Sequence, residues 1–145
     1  ADGADGADRG IKAVLTGGPS GGCIPAAALD TPLADTSLRA LGARLGSGGM
    51  VVLGAATAMP ALARYFVRFC AAESCGKCVP CRAGTVQLLE VLDRFCEGRA
   101  RAGDRVWLEQ LCALVQSTSL CGLGQSAPNP VLSTLRHFGE EYRTA

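Results

Sequence analysis

The spacing of four cysteines constrains this chain more than any other feature of its sequence. Cys75, Cys78 and Cys81 follow one another closely, and Cys121 completes the pattern C-x2-C-x2-C-x39-C. Disulfides suit the triplet poorly, because pairs within it would close very short loops, so metal or redox chemistry is the better interpretation. If one group takes all four thiols, the chain must bring two distant loops together.

The composition excludes several classes of function. Of the 145 residues, 48% are hydrophobic and 19% are charged, and the net charge is +1. A nucleic-acid-binding surface usually shows a basic excess, which this composition lacks. No apolar run reaches the roughly 20 residues that cross a bilayer, and the acidic, glycine-rich start is unlike a signal peptide. We therefore expect a cytoplasmic protein without a transmembrane segment, which meets a membrane only through partners, if at all.

The sequence pattern divides the chain into three predicted parts, residues 1–10, 11–54 and 55–145. The first part repeats Ala-Asp-Gly and is expected to be a flexible lead-in, because it has no apolar residue larger than alanine. The second part contains two strand-like runs, IKAVLTGG and MVVLG, with a short helix between them. We predict a small α/β segment there, with too few strands to be stable alone.

Residues from Thr57 onward show apolar positions at helical spacing. Asp104 and Asn129 are expected to cap the third and fourth helices, and Pro60 is tolerated in a first turn. Short loops join the segments, so we predict a mainly α fold in which a four-helix bundle follows the α/β segment. The predicted helices cover residues 58–72, 83–98, 104–118 and 129–143.

A 4Fe-4S cube suits the cysteine pattern, since its corner irons point apart. In an antiparallel bundle both cysteine loops lie at one end, so one loop can serve three corners and Cys121 the fourth. Lys77 and Arg82 would offset the negative charge, and a helix that starts after Cys81 would direct its N–H groups at the cluster. Structural zinc is an alternative, although one compact ion is usually bound by two separated pairs of ligands. A redox dithiol is a third, but the triplet does not open a helix after a strand.

The remaining candidate sites are weaker. Cys23, Cys70, Cys96 and Cys112 are interpreted as structural thiols. The segment TGGPSGG is interpreted as a tight turn, since it lacks the Lys-Ser/Thr of a phosphate-binding loop. The single histidine, His137, is expected at the surface or rim of the bundle, so histidine-based catalysis has little support.

Two stretches carry a family resemblance. ESCGKCVPCRAGT and, further along, SLCGLGQSAPNPVLSTLRHFGEEY resemble the C-terminal part of the NADH-binding flavoprotein subunit of respiratory complex I. The same segment occurs in diaphorase subunits of NAD-reducing hydrogenases and in beta subunits of NAD-dependent formate dehydrogenases. GGPSGGCIP and LGSGGMVVL resemble the part before it, so the resemblance covers residues 11–145.

The resemblance implies a role in electron transfer. It assigns one 4Fe-4S cluster to Cys75, Cys78, Cys81 and Cys121, and a ubiquitin-like β-grasp unit to residues 11–54, whose shortness leaves open that the unit is incomplete. In the family, the cluster takes single electrons from FMN that NADH has reduced, and relays them to 2Fe-2S and further iron–sulfur centres on partner subunits. The family's flavin and nicotinamide sites lie in an N-terminal domain that this sequence lacks. We therefore expect FMN and NAD(H) on another domain or chain, assign no catalytic residue, and leave open whether the chain alone is an enzyme.

Overall fold

The structure is a computed structural model that describes residues 10–144 of the chain. The predicted lead-in, residues 1–10, lies outside the described residues except for Gly10. A three-stranded sheet comes first, and a bundle of helices follows it. This order confirms the predicted fold class, which is mainly helical with a small α/β segment in front.

The sheet contains strands β1 (Ile11–Thr16), β2 (Gly22–Pro25) and β3 (Met50–Gly54), in the order β2-β1-β3. Both neighbours of β1 run antiparallel to it, and Val14 pairs with Ile24 on one side and with Val52 on the other. The sequence predicts β1 and β3 but misses β2, because GCIP is short and follows a glycine-rich turn. Packing makes it a strand, since Cys23 is fully buried and Ile24 nearly so.

The glycine-rich segment between β1 and β2 is a tight turn, as predicted. Gly17 and Gly18 have φ angles of 82° and 73°, which residues with side chains rarely adopt, and a single turn of 3-10 helix follows. The side-chain amide of Asn129 donates to the backbone oxygen of Ser20 at 2.9 Å. The turn is thereby tied to the helical part of the molecule.

Residues 10–144 form six α-helices, of which four are long and make up the bundle and two are short. Their bounds are α1 (Asp35–Ala40), α2 (Met59–Ala72), α3 (Val79–Cys96), α4 (Asp104–Thr118), α5 (Gly122–Ser126) and α6 (Asn129–Phe138). The main core lies between α2, α3, α4 and α6, and it includes the fully buried Leu88, Leu92 and Leu108. Apolar residues at helical spacing supply this core. Across residues 10–144, no helix has the length and apolar character needed to cross a membrane.

The predicted start of α3 is wrong by four residues, with consequences for the cysteines. α3 begins at Val79, so Cys78 is its N-cap and Cys81 lies in its first turn rather than in the preceding loop. A proline occupies the first turn, where its missing N–H costs no intrahelical hydrogen bond. The helix can therefore start inside the triplet.

Two predicted caps are wrong by one position. Gly103, whose φ is 95°, is the N-cap of α4, and the carboxylate of Asp104 binds Arg94 instead of the first turn. Asn129 is already helical, and its side chain contacts Ser20 rather than its own helix. In both cases a tertiary partner takes the polar side chain that the sequence assigns to local capping.

A second core joins the sheet to the bundle. It contains Ala13, Leu15, Cys23 and Leu53 of the sheet with Met59, Phe66 and Phe138 of the helices. The backbone N–H of Cys23 also donates to Oγ of Ser133 in α6 at 3.0 Å. The predicted boundary between residues 11–54 and 55–145 thus crosses a shared core, and the division into two domains stays a prediction.

Candidate metal centre

The cysteine triplet lies where α2 gives way to α3. α2 ends at Ala72, and Gly76, whose φ is 75°, reverses the chain direction. Cys75 is exposed, Cys78 is half-buried at the N-cap of α3, and Cys81 is buried in its first turn. The solvent exposure of the three thiols therefore decreases along this short segment, from Cys75 to Cys81.

Cys121 lies in the connection between α4 and α6. It is exposed and forms the N-cap of the short helix α5. The side-chain amide of Gln125 stabilises this connection by donating to the backbone oxygen of Ser119 at 3.1 Å. The sequence does not predict α5, because the segment GLGQS is short, contains two glycines and has no apolar period.

The two cysteine-bearing segments meet at one end of the bundle. The backbone N–H of Leu120 lies near enough to the thiol of Cys78 to lower its pKa, although the two residues are far apart in sequence. Gly124 of α5 also lies against the triplet, since a Cβ there would be 3.0 Å from Cβ of Cys81 and 2.5 Å from Oγ of Ser119. Only glycine allows so close an approach without displacing a neighbour. The antiparallel bundle therefore brings the loop of Cys121 to the triplet, as predicted.

The local electrostatics favour the thiolate form of Cys78. The N–H of Leu120 lowers the pKa of Cys78 most, and the N–H groups of Cys81 and of Cys78 itself, together with the charge of Arg82, act in the same direction. The guanidinium of Arg82 is held nearby by a 2.9 Å hydrogen bond to the backbone oxygen of Gly76. Arg82 and N–H groups at the start of α3 thus stabilise negative charge at the triplet, while the same role for Lys77 stays a prediction.

Two serine hydroxyls lie beside Cys81, and the sequence analysis misses both. Oγ of Ser74 is 3.3 Å from the sulfur of Cys81 and accepts the N–H of Gly76, which leaves its own hydrogen for the sulfur. Oγ of Ser119 is buried and has no hydrogen-bond partner among residues 10–144. The only sequence signal for either is a small hydroxyl residue one or two positions before a cysteine of the pattern, Cys75 or Cys121.

The donor set suits an iron–sulfur cluster. In the described part of the chain, no three His, Cys, Asp or Glu side chains are gathered closely enough to hold a metal ion. A 4Fe-4S cube takes its thiolates at separate corners, so its ligands need no common point. Thiol donors, an N–H-stabilised sulfur and an unpartnered hydroxyl beside the triplet all fit such a group. The assignment of all four cysteines to it stays a prediction.

The other four cysteines are kept protonated by burial. Burial raises the pKa of Cys23 and of Cys70 to about 11, and that of Cys112 to about 12. Cys96 is half-buried, and burial again is the main cause of its raised pKa. Because metals bind the thiolate, these values support the interpretation of all four as structural thiols.

His137 also has a structural role. Its ring is half-buried, and Nε2 lies 2.9 Å from the backbone oxygen of Leu41. The neighbouring Arg136 donates to the backbone oxygen of Ala40 at 2.9 Å. Both side chains therefore attach α6 to the end of α1, which agrees with the predicted rim position.

Comparison with protein families identifies the helical part of the chain. A family model described as the NADH-ubiquinone oxidoreductase-F iron–sulfur binding region matches residues 61–145, more than half of the sequence. The chain belongs to this family. The matched range holds most of α2, all of α3 to α6 and the four cysteines of the pattern. The family binds a 4Fe-4S cluster, which confirms the predicted cofactor.

Relatives of this iron–sulfur binding region are subunits of larger redox proteins. The NADP-reducing hydrogenase subunit HndC of Solidesulfovibrio fructosivorans is 45% identical over 134 residues, which cover 92% of this chain and 27% of the relative. An NADH-quinone oxidoreductase subunit of Rhizobium meliloti (strain 1021) is 40% identical, over 92% of this chain and 32% of that protein. The chain thus spans about a third or less of these relatives.

Solved structures share the fold of this iron–sulfur binding region. A chain of the NAD+-reducing [NiFe]-hydrogenase in its H2-reduced state superimposes with a TM-score of 0.81 at 34% identity. The match covers 91% of this chain and 22% of the hydrogenase chain. Because it extends beyond the helical bundle, the likeness includes sheet residues as well, and it confirms the resemblance that the sequence motifs indicate.

Proposed function

We propose that this chain is an electron-transfer module with one 4Fe-4S cluster on Cys75, Cys78, Cys81 and Cys121. When bound, the cluster supplies one-electron chemistry between a flavin and further iron–sulfur centres of an NAD(H)-linked oxidoreductase complex. The flavin would be FMN, reduced by NADH on a domain or chain outside this sequence. The protein's own contribution is to bind the cluster, neutralise its charge and limit access of water.

The close approach of α5 to the triplet is the observation that carries this proposal, since a Cβ on Gly124 would lie 3.0 Å from Cβ of Cys81. It brings the loop of Cys121 to the loop of the triplet, where the N–H of Leu120 lowers the pKa of Cys78. Cys81 is buried on the protein side of the site, whereas Cys75 and Cys121 are exposed. The exposed side chains of Val79 and Leu120 beside them offer apolar surface to partner subunits.

Substitution of the remote ligand tests the ligand set. The chain is reconstituted anaerobically with iron and sulfide, and iron, acid-labile sulfide and the electron paramagnetic resonance spectrum of the reduced protein are measured. The unsubstituted chain should bind about four irons and four sulfides. Cys121→Ala should lose most of the 4Fe-4S signal, because one corner of the cube loses its thiolate.

Cys96→Ala is the matched control, because Cys96 is a half-buried thiol whose raised pKa disfavours metal binding. It should load like the unsubstituted chain. A colourless protein with one tightly bound zinc per chain would contradict the proposal and support a structural zinc module. A full 4Fe-4S signal in Cys121→Ala would instead remove Cys121 from the ligand set.

A further inference from the structure

The hydroxyl of Ser119 is a buried polar group without a partner. Ser119 is 5% exposed, and only Thr16 shares its lack of a hydrogen-bond partner among the buried side-chain oxygens and nitrogens of residues 10–144. A buried hydroxyl without a partner costs free energy, so native proteins retain few of them. In this fold, the unpartnered hydroxyl of Ser119 lies beside the candidate metal centre.

Three features fix the position of Ser119. It ends α4 as the C-cap, where its N–H donates to the backbone oxygen of Val115 at 3.2 Å. Its backbone oxygen accepts the side-chain amide of Gln125. Its side chain and that of Cys81 both flank Gly124, because a Cβ on Gly124 would lie 2.5 Å from Oγ of Ser119 and 3.0 Å from Cβ of Cys81. The hydroxyl is therefore held by its backbone next to the buried member of the triplet.

The other serine at the site shows the contrast. Ser74 is within 3.3 Å of the sulfur of Cys81, so its hydroxyl already has a sulfur partner within the protein. Ser119 is buried more deeply than the half-buried Ser74 and has no such partner. The hydroxyl of Ser119 is a hydrogen-bond donor that no protein atom uses, and it lies beside the cysteine triplet. It is therefore suited to donate to a sulfur atom of a bound cluster.

We propose that Ser119 donates its hydroxyl hydrogen to a sulfur of the bound cluster and thereby raises the reduction potential of the cluster. This inference rests on the proposed function. Reduction adds negative charge to the cluster and its sulfurs, so a hydrogen-bond donor stabilises the reduced state more than the oxidised state. Because Ser119 is buried, water does not substitute for a lost hydroxyl.

The substitution Ser119→Ala tests the proposal in the full chain loaded with its cluster. Redox titration followed by electron paramagnetic resonance should show the ratio of reduced to oxidised cluster falling about three- to tenfold at a fixed potential. For one electron this corresponds to a shift of about 30–60 mV toward more negative potential. Ser117→Ala is the matched control, because its exposed hydroxyl donates to the backbone oxygen of Ala113 at 2.7 Å, and the potential should not change.

Two further measurements separate a cluster contact from a structural role. In the cluster-free chain, Ser119→Ala should be at least as stable as the unsubstituted protein, because it removes an unpartnered hydroxyl. In heavy water, pulsed electron paramagnetic resonance of the loaded chain should detect exchangeable deuterons near the cluster. One deuteron coupling should be lost in Ser119→Ala and kept in Ser117→Ala, while the couplings from the hydroxyl of Ser74 and from backbone N–H groups remain in both.

Several results would overturn the inference. An unchanged potential in a fully loaded Ser119→Ala protein would do so, as would a clear loss of stability in the cluster-free variant. Failure of Ser119→Ala to load a cluster that Ser117→Ala binds would assign the hydroxyl to assembly rather than to tuning. If the unsubstituted chain binds no 4Fe-4S cluster, the proposed function is wrong and the inference falls with it.

Discussion

The eight cysteines of this chain carry the same thiol group, but their surroundings shift the pKa of several of them in different directions. The pKa of Cys78 is lowered because the N–H of Leu120 and neighbouring N–H groups stabilise the thiolate. Burial instead raises the pKa of Cys112 to about 12, which keeps it a neutral core residue. At this scale, a residue's chemistry depends on whether it receives an N–H donor or only apolar neighbours.

The pKa of the Asp104 carboxylate also depends on its hydrogen-bond partners. Arg94 contacts it through two hydrogen bonds of 2.8 Å and 2.9 Å, and the backbone N–H of Arg101 adds a third at 2.9 Å. The hydrogen bond from Arg94 is the main cause of the lowered pKa of Asp104, followed by that from Arg101. These contacts connect the end of α3 to the start of α4.

Asp104→Asn should destabilise the protein by about 1–2 kcal/mol at neutral pH, a value between those of an exposed ion pair and a buried charged hydrogen bond. Because folding lowers the pKa of Asp104, its contribution is complete above the unfolded pKa of about 3.9 and is lost as the pH falls through the folded pKa. Urea unfolding measured from pH 7 down to pH 2 should therefore show that the difference in the free energy of unfolding between Asp104→Asn and the unsubstituted chain becomes smaller in acid.

Asp35→Asn is the control for that measurement. Asp35 pairs with Arg39 on the exposed side of α1 at 2.5 Å, where solvent weakens the pair. We expect no resolvable change in the free energy of unfolding at neutral pH. An Asp104→Asn effect that is equally small, or that stays constant down to pH 2, would contradict the role given to this ion pair.

Glycine decides how closely two of the bundle helices approach. Gly84 lies in the middle of α3 and is buried, and a Cβ there would be 2.3 Å from Cγ2 of Val115 in α4. Glycine lowers helix stability by up to about 1 kcal/mol relative to alanine, so its presence in a helix needs a reason. Here the reason is the close contact between α3 and α4, whose ends carry both cysteine segments.

Gly84→Ala should destabilise the chain by about 1–2 kcal/mol, because overpacking outweighs the gain in helix propensity. Chemical unfolding measures the effect. Gly122→Ala is the control, because a Cβ on Gly122 meets nothing within 4 Å, and it should change stability by less than about 0.5 kcal/mol. Combining Gly84→Ala with Val115→Ala should cost less than the two single changes together. Strict additivity would show that the contact with Val115 is not the cause.

Across the whole molecule, one carboxylate connects three parts of the fold. Glu141 pairs with Lys12 of β1 at 2.6 Å, and its other oxygen accepts the N–H of Met59 at the start of α2 at 2.9 Å. Lys12 also donates to the backbone oxygen of Thr57 at 2.5 Å. The end of the described chain thus holds the sheet against the bundle, next to the core that both share.

Glu141→Ala should cost about 1–2 kcal/mol, because it removes both an ion pair and a helix N-terminal acceptor. Amide hydrogen exchange should show faster exchange in β1 and in the first turn of α2, while the buried amides of α3 keep their protection. Glu140→Ala, at an exposed neighbouring position, should leave exchange unchanged. Equal exchange patterns in the two variants would contradict the coupling through Glu141.

The sequence predicts the elements well where the signal is local and repeated. The apolar periods of α2 and α4 give their bounds to within one residue, and MVVLG gives β3. It fails for β2 and α5, which are too short to show a period. It also misplaces the start of α3, because a proline in the first turn lets the helix begin inside the triplet. The caps at Asp104 and Asn129 are misplaced because the tertiary partners Arg94 and Ser20 take those side chains.

For the site, the sequence by itself indicates a 4Fe-4S cluster and predicts four thiol donors from their spacing. Only the tertiary structure decides that the N–H of Leu120 reaches Cys78 and that the hydroxyl of Ser119 is left without a partner. Spacing and periodicity are properties of neighbouring residues, and they can be read directly from the sequence. Hydrogen-bond partners and burial depend on how α3, α4 and α5 pack, which involves residues far apart in the chain.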